Sequence, residues 1–195
     1  MEGVRENEPR QEQGEHERRL QPRIYAASLA DYNAGRLHGV WLDAATQADE
    51  LASGIQQMLA ASREPVAEEW AIHDYEGFGS LRLDEYESLE RVSALGRGLV
   101  EHGAAFGHYA RLLAPGEDVS DFRGAYLGRW PSLEAYVEEL LTDLGAEAEL
   151  EERLPAYLQP YVRLDAAAFG RDLEIGGDIM TSQDAEGVYV FAMSP

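Results

Sequence analysis

Carboxylates are the side chains with the clearest chemical potential in this chain, and they are densest between residues 132 and 164. No Arg or Lys stands between Leu133 and Leu144 to neutralise the acids there, which are Glu134, Glu138, Glu139 and Asp143. Further acids follow directly, at Glu147, Glu149, Glu151 and Glu152. Like charges four residues apart on a helix repel each other by about 0.2–0.5 kcal/mol per pair, and a helix that needs only solubility normally mixes the two signs. The pattern predicts a surface that binds cations or basic groups through its charge.

The apolar residues between these acids predict the helix that positions them. Large apolar side chains recur at the spacing of one helix face, at Leu133, Tyr136, Val137, Leu140, Leu141 and Leu144. Ser132 is a suitable N-cap, and Gly145 is a suitable residue for ending the helix. We expect a helix over residues 132–144 with the acids on its outward face.

The whole chain shares this charge. Its 195 residues include 37 acidic residues against 16 basic ones, which gives a formal net charge of -21, and every basic residue is Arg. A field of this sign repels nucleic acids and membrane surfaces, so a partner recognised through charge is a cation or a basic protein, such as one that binds DNA. The coding bias of a GC-rich genome or a salty cytoplasm produces a similar composition, which leaves the function open at this level.

The composition also bounds the compartment and the chemistry. The chain has no cysteine, so it forms no disulfide and uses no thiolate, as is typical of a reducing compartment. The first twenty residues are charged, and no apolar run approaches the roughly 18 residues of a membrane span. We expect a soluble cytoplasmic protein.

The order of patterns along the chain predicts an α+β fold, built as an elongated chain of three small domains after a disordered tail at 1–21. A module at 22–76 combines a β-hairpin around DYNAG, a helix over 48–62 and a third strand at 69–75. A helical module at 77–115 contains two helices, the first capped near Asp84. An α+β module at 116–195 contains the acidic helix, a short helix after Pro155, a helix over 165–173 and a closing hairpin.

Patterns typical of metal sites or catalysis are weak. His73, Asp74 and Glu76 could form a metal site or an acid-base cluster, but adjacent positions on a strand and turn do not converge on one point. The segment from Asp31 begins like a calcium loop, yet Leu42 occupies the position that needs a bidentate Glu. The chain has no phosphate-binding loop and no nucleophile motif. We therefore predict no enzyme activity, no metal site and no cofactor.

An apolar stripe lies beside the acidic run. It consists of Leu154, Tyr157, Leu158 and Tyr161. Core packing is one interpretation of this stripe, and the seam of a symmetric homodimer is the other.

Several segments together resemble the ArdA family of antirestriction proteins. They are IYAASLADYNAGRLHGVWLD at 24–43, EEWAIHDYE at 68–76, LDEYESLERV at 83–92, and the run from Ala135 through LPAYLQPYV to FGRDLEI at 169–175. The hairpin sequence, AIHDYE and AFGRDL occur in the order and spacing typical of the family.

This resemblance implies an elongated dimer of three-domain subunits, joined through the C-terminal domain and encoded on mobile genetic elements. It implies a DNA mimic without catalytic residues. Such a mimic occupies the DNA-binding channel formed by the methyltransferase and specificity subunits of type I restriction-modification enzymes. By position, the antirestriction motif of the family falls on about 144–164.

Two acidic surfaces follow as predicted contact residues. The mimic surface consists of Glu117, Asp118, Asp121, Glu134, Glu138, Glu139, Asp143, Glu147, Glu149, Glu151 and Glu152. A secondary surface consists of Glu68, Glu69, Asp74, Glu76, Asp84, Glu85, Glu87 and Glu90. The competing hypothesis is an acidic adaptor or regulator that binds a basic protein unrelated to restriction.

Overall fold

A computed structural model describes residues 21–193 of the chain. The tail predicted at 1–21 therefore lies outside the described residues except for Gln21. Within the described part, helices and two antiparallel sheets confirm the α+β class. No helix between residues 21 and 193 has the length and apolar character needed to cross a membrane.

The first sheet is the predicted hairpin extended by a third strand. Its elements in chain order are β1 Arg23–Ser28, α1 Leu29–Asn33, β2 Gly39–Asp43, α2 Ala48–Ala60 and β3 Trp70–Glu76. The strands are antiparallel in the order β2-β1-β3, and Leu51, Ile55 and Met58 bury one face of α2. The short helix α1 overlaps the first part of the DYNAG segment, and Ser28 caps it by accepting a hydrogen bond from the backbone N–H of Asp31 at 3.3 Å.

The middle of the chain is dominated by one long helical element, α3 Leu89–Leu112. The prediction of a helix capped near Asp84 is wrong: Ser88 is the cap, and its hydroxyl accepts a hydrogen bond from the N–H of Arg91 at 3.2 Å. The preceding segment runs beside β3, where the N–H of Ile72 donates to the carbonyl of Glu85. The helical path breaks at Gly103, whose φ is 62° and ψ is -144°, and this position lies inside the second predicted helix, which begins at Leu99.

The C-terminal part carries the second sheet and the acidic helices. Its elements are α4 Phe122–Ala125, β4 Tyr126–Trp130, α5 Leu133–Asp143, α6 Ala146–Arg153, α7 Ala166–Gly176, β5 Ile179–Asp184 and β6 Gly187–Ala192. The strands are antiparallel in the order β4-β6-β5. The helix predicted after Pro155 is wrong, because that segment forms turns and one short 3₁₀ helix, Gln159–Tyr161. Pro155 and Pro160 lack the N–H that a continuing helix needs.

One buried cluster draws on all three predicted modules. Ile24 of β1, Leu95 of α3 and Phe191 of β6 are members of the same hydrophobic core. Aromatic rings concentrate where α3 meets the second sheet, and the ring centroid of Tyr109 lies 5.5 Å from that of Phe191. The described part of the chain is thus joined through α3, and the three-module division remains a prediction.

Candidate acidic binding surface

The eleven carboxylates of the predicted mimic surface all belong to exposed residues. Glu149 is the one member of this set that forms an ion pair within the described residues, and its partner is Arg153 at 3.3 Å. Between residues 132 and 153 the chain has eight acids and one Arg. The side chains available for charge recognition are therefore mostly free of internal neutralisation.

α5 is held by its apolar face, as the sequence predicts. Ser132 caps it by accepting a hydrogen bond from the N–H of Ala135 at 3.1 Å, and Val137 is fully buried. α7 crosses close to this face at Gly170, where an added Cβ would come within 3.0 Å of Leu133 and 3.3 Å of Val137. This packing, together with Tyr136 against the second sheet, turns the acids of α5 towards solvent.

α6 continues the acidic surface around a corner. Gly145 ends α5 in the left-handed conformation, with φ of 65°, and begins α6. At 1.5 Å per residue, the two helices span about 28 Å when their lengths are added. Glu147 and Glu149 lie in the first turn of α6, where the helix dipole favours negative charge. The sequence did not predict α6 as a helix, because its apolar stripe is too weak to identify one.

The segment after α6 packs against it through backbone contacts. The side-chain amide of Gln159 donates to the carbonyls of Glu151 at 2.9 Å and Leu154 at 3.3 Å. Arg163 donates to the carbonyls of Gln159 and Val162, so these bonds leave the neighbouring carboxylates unneutralised.

Local hydrogen bonds stabilise the charged form of Asp118. The hydroxyl of Ser120 donates to its carboxylate at 2.7 Å, and the N–H of Ser120 donates at 2.9 Å. These bonds lower the pKa of Asp118 below its ordinary value. Asp118 therefore contributes a full negative charge near neutral pH.

The secondary acidic surface is also exposed, apart from the half-buried Glu87, but Arg residues neutralise part of it. Glu76 pairs with Arg23, and Glu87 lies 4.0 Å from Arg91. Surface pairs of this kind add little stability, yet each occupies a carboxylate. Within the described residues, six of these eight acids form no ion pair, against seven of the eight acids on α5 and α6.

The predicted dimer-seam residues do not share one helix face. Tyr157 and Tyr161 have 74% and 83% of their surface exposed, and Leu158 has 38%, while Leu154 is half-buried. Two exposed tyrosines beside an acidic surface are available for an interface, and the seam itself remains a prediction.

The side chains of His73, Asp74 and Glu76 do not converge on one site. The His73 ring contacts the edge of Tyr32 with a centroid separation of 4.9 Å, the Asp74 carboxylate accepts from the N–H of Tyr75, and Glu76 pairs with Arg23. Among residues 21–193, no group of three His, Asp or Glu side chains could hold a metal ion.

Asp31, the first residue of the rejected calcium loop, is buried and acts as a brace. It accepts hydrogen bonds from the Ser62 hydroxyl and the Arg36 guanidinium, and the bond from Ser62 is the largest cause of its lowered pKa. The carboxylate thus ties α1 to the segment that follows α2.

A polar cluster that the sequence did not reveal joins α3 to the second sheet. Nδ1 of His108 lies 2.7 Å from Oγ of Ser182, which also accepts from Arg111 at 2.7 Å. Nε2 of His108 lies 3.5 Å from the Asp184 carboxylate, and its ring stacks on Tyr189 at 4.2 Å. The partners lie more than 70 residues apart in sequence, so no local pattern identifies them.

Comparison with known families identifies one match. A family model described as antirestriction protein (ArdA) matches residues 24–187, which is most of the chain. None of the curated proteins compared with the chain matches it.

Proposed function

The chain belongs to the ArdA family of antirestriction proteins, and from this premise we propose that it inhibits type I restriction-modification enzymes as a mimic of B-form DNA. Family membership supports an antirestriction function and an interaction with restriction-modification enzymes. The proposal adds that the protein occupies the DNA-binding channel and that its exposed carboxylates stand in for phosphates.

The observation that carries the proposal is the unneutralised acidic surface of α5 and α6. Eight carboxylates with one Arg lie between residues 132 and 153, and all eight belong to exposed residues. A channel that holds duplex DNA is lined by Lys and Arg side chains, and these would exchange phosphate oxygens for carboxylate oxygens.

The total charge fits the length of a DNA channel. Residues 1–21 contain six acids and four Arg, which leaves a charge of about -19 on the rest of the chain. A homodimer joined through the seam at Leu154, Tyr157, Leu158 and Tyr161 would carry about 38 negative charges. At one phosphate charge per roughly 1.7 Å of duplex axis, that charge corresponds to about 65 Å of DNA.

The mechanism is competitive and mainly electrostatic. Binding releases the counterions held by the acidic protein and by the basic channel, so affinity falls steeply as salt rises. Because the charge is distributed, single neutralisations have small effects. Glu138→Gln alone should therefore leave most of the inhibition intact.

The test is displacement of labelled duplex from a purified type I restriction-modification enzyme at low and at moderate salt. We expect displacement by the wild-type protein at both salt concentrations, and we expect its affinity for the enzyme, measured directly without DNA, to fall steeply as salt rises. Glu134→Gln, Glu138→Gln, Glu139→Gln and Asp143→Asn combined should weaken displacement strongly.

A matched control neutralises four acids that form ion pairs with Arg. These are Glu76, Glu87, Glu101 and Glu186. Both sets change the net charge equally, so a larger loss from the α5 set supports a defined mimic surface. Equal losses would show that only net charge matters, and a folded wild-type protein that displaces no DNA would favour the acidic adaptor.

A further inference from the structure

One carboxylate on α5 is held in place, unlike its neighbours. The indole N–H of Trp130 donates to the Glu139 carboxylate at 2.9 Å. Within residues 21–193, the carboxylates of Glu134, Glu138 and Asp143 have no hydrogen-bond donor. Glu139 is thus the acid of α5 whose position is set by a second element.

Trp130 is itself firmly seated at the end of β4. It pairs with Val188 of β6, and its ring meets Tyr136 edge-on with a centroid separation of 4.7 Å. The ring also lies over Gly128, where an added Cβ would come within 2.6 Å of it. The absence of a side chain at 128 makes room for the indole, which fixes the direction of its N–H.

A fixed charge binds a partner more efficiently than a mobile one. Immobilising a long side chain at an interface opposes binding by an amount equivalent to about 2- to 10-fold in affinity. Glu139 has already lost most of that freedom in the unbound protein. One hydrogen bond from the indole also leaves most lone pairs of the carboxylate available.

We propose that Trp130 is a positioning residue for Glu139, which it holds as a fixed negative charge for a guanidinium or ammonium group of the restriction enzyme. This inference rests on the proposed function, and it predicts that the acids of α5 contribute unequally to displacement of DNA. Glu139 contributes more to displacement of DNA than Glu138, although both are exposed and lie on the same helix.

The experiment moves the carboxylate at position 139 and keeps its negative charge. Glu139→Asp preserves the carboxylate but shortens its reach by one methylene, and Glu138→Asp is the matched control with the same change in helix propensity. In the DNA-displacement assay we expect Glu139→Asp to weaken the protein about 2- to 10-fold and Glu138→Asp less than about 2-fold. Equal effects of the two variants would overturn the inference.

Removing the donor tests the same contact from the other side. Trp130→Phe keeps an aromatic ring over Gly128 and deletes the N–H, so Glu139→Asp should cause no further loss in that background. Additive losses would contradict the coupling, because residues that act through one contact give non-additive effects.

A spectroscopic measurement separates this inference from the proposed function. The indole ¹H–¹⁵N resonance of Trp130, assigned by its loss in Trp130→Phe, should shift in Glu139→Ala and stay in place in Glu138→Ala. An unmoved resonance in Glu139→Ala overturns the inference even if the wild-type protein displaces DNA. A wild-type protein that does not displace DNA overturns the proposed function, and with it the role assigned to Trp130.

Discussion

Replacing Gly103 by alanine should destabilise the protein through backbone conformation alone. Gly103 has φ of 62° and ψ of -144°, a region that residues with a side chain rarely adopt. An added Cβ at this position meets no atom of a more distant residue within 4 Å, so contacts with other parts of the protein add nothing to the local backbone cost. Holding a non-glycine residue in such a region costs about 1–3 kcal/mol.

Gly107→Ala, four residues further along α3, is the matched control. An added Cβ there lies 3.4 Å from the Leu99 side chain, an ordinary contact. Alanine in a helix interior is favoured over glycine by about 0.5–1 kcal/mol. The two substitutions should therefore change stability in opposite directions, with a difference of about 1.5–4 kcal/mol.

Urea denaturation of the two variants and the wild type measures this difference. The midpoint should fall for Gly103→Ala and rise for Gly107→Ala, with little change in the denaturant dependence. A neutral or stabilising Gly103→Ala would refute the reasoning, since it would mean that α3 passes residue 103 without the break.

Two further predictions concern a pH response and a helix cap. Burial, followed by the nearby Arg111 guanidinium, lowers the pKa of His108 below its ordinary 6.5 despite the opposing effect of Asp184; the folded state therefore binds fewer protons than the unfolded state. The contribution of His108 to the free energy of unfolding should consequently be complete above about pH 6.5 and decline as the pH falls below it. Urea denaturation at pH 7.5 and 5.5 should show a smaller decline in stability for His108→Gln than for the wild type. Ser88→Ala should cost about 1 kcal/mol and Asp84→Ala less than about 0.5 kcal/mol in the same assay, whereas the reverse order would place the start of α3 at Asp84.

Periodic local patterns predicted most of the fold. The stripe from Leu133 to Leu144 gave the correct helix because burial of Val137 depends on spacing that is visible in one segment. The closing hairpin was equally readable, since its strands alternate around a turn. α6 was not predicted, because its residues are mostly acidic and its apolar residues do not recur at helical spacing. Its N-terminus is set by Gly145, which has a left-handed backbone conformation.

Contacts between distant segments escaped prediction. α3 begins after Ser88, and the segment before it bonds to β3 through the Glu85 carbonyl, which accepts from the N–H of Ile72. The contact of Trp130 with Glu139 spans a strand end and a helix, so neither local pattern contains it. The acidic surface itself was predictable, but the one carboxylate with a fixed position was not.

The unneutralised carboxylates of α5 and α6 also repel one another, and this repulsion lowers the stability of the folded protein. Repulsion among them is present in the folded protein before any partner binds, and dissolved salt screens it. Added salt should therefore raise the thermal unfolding temperature while it weakens binding to the restriction enzyme. Opposite trends in a single salt series would separate loss of binding from loss of folding, because unfolding by salt would lower both.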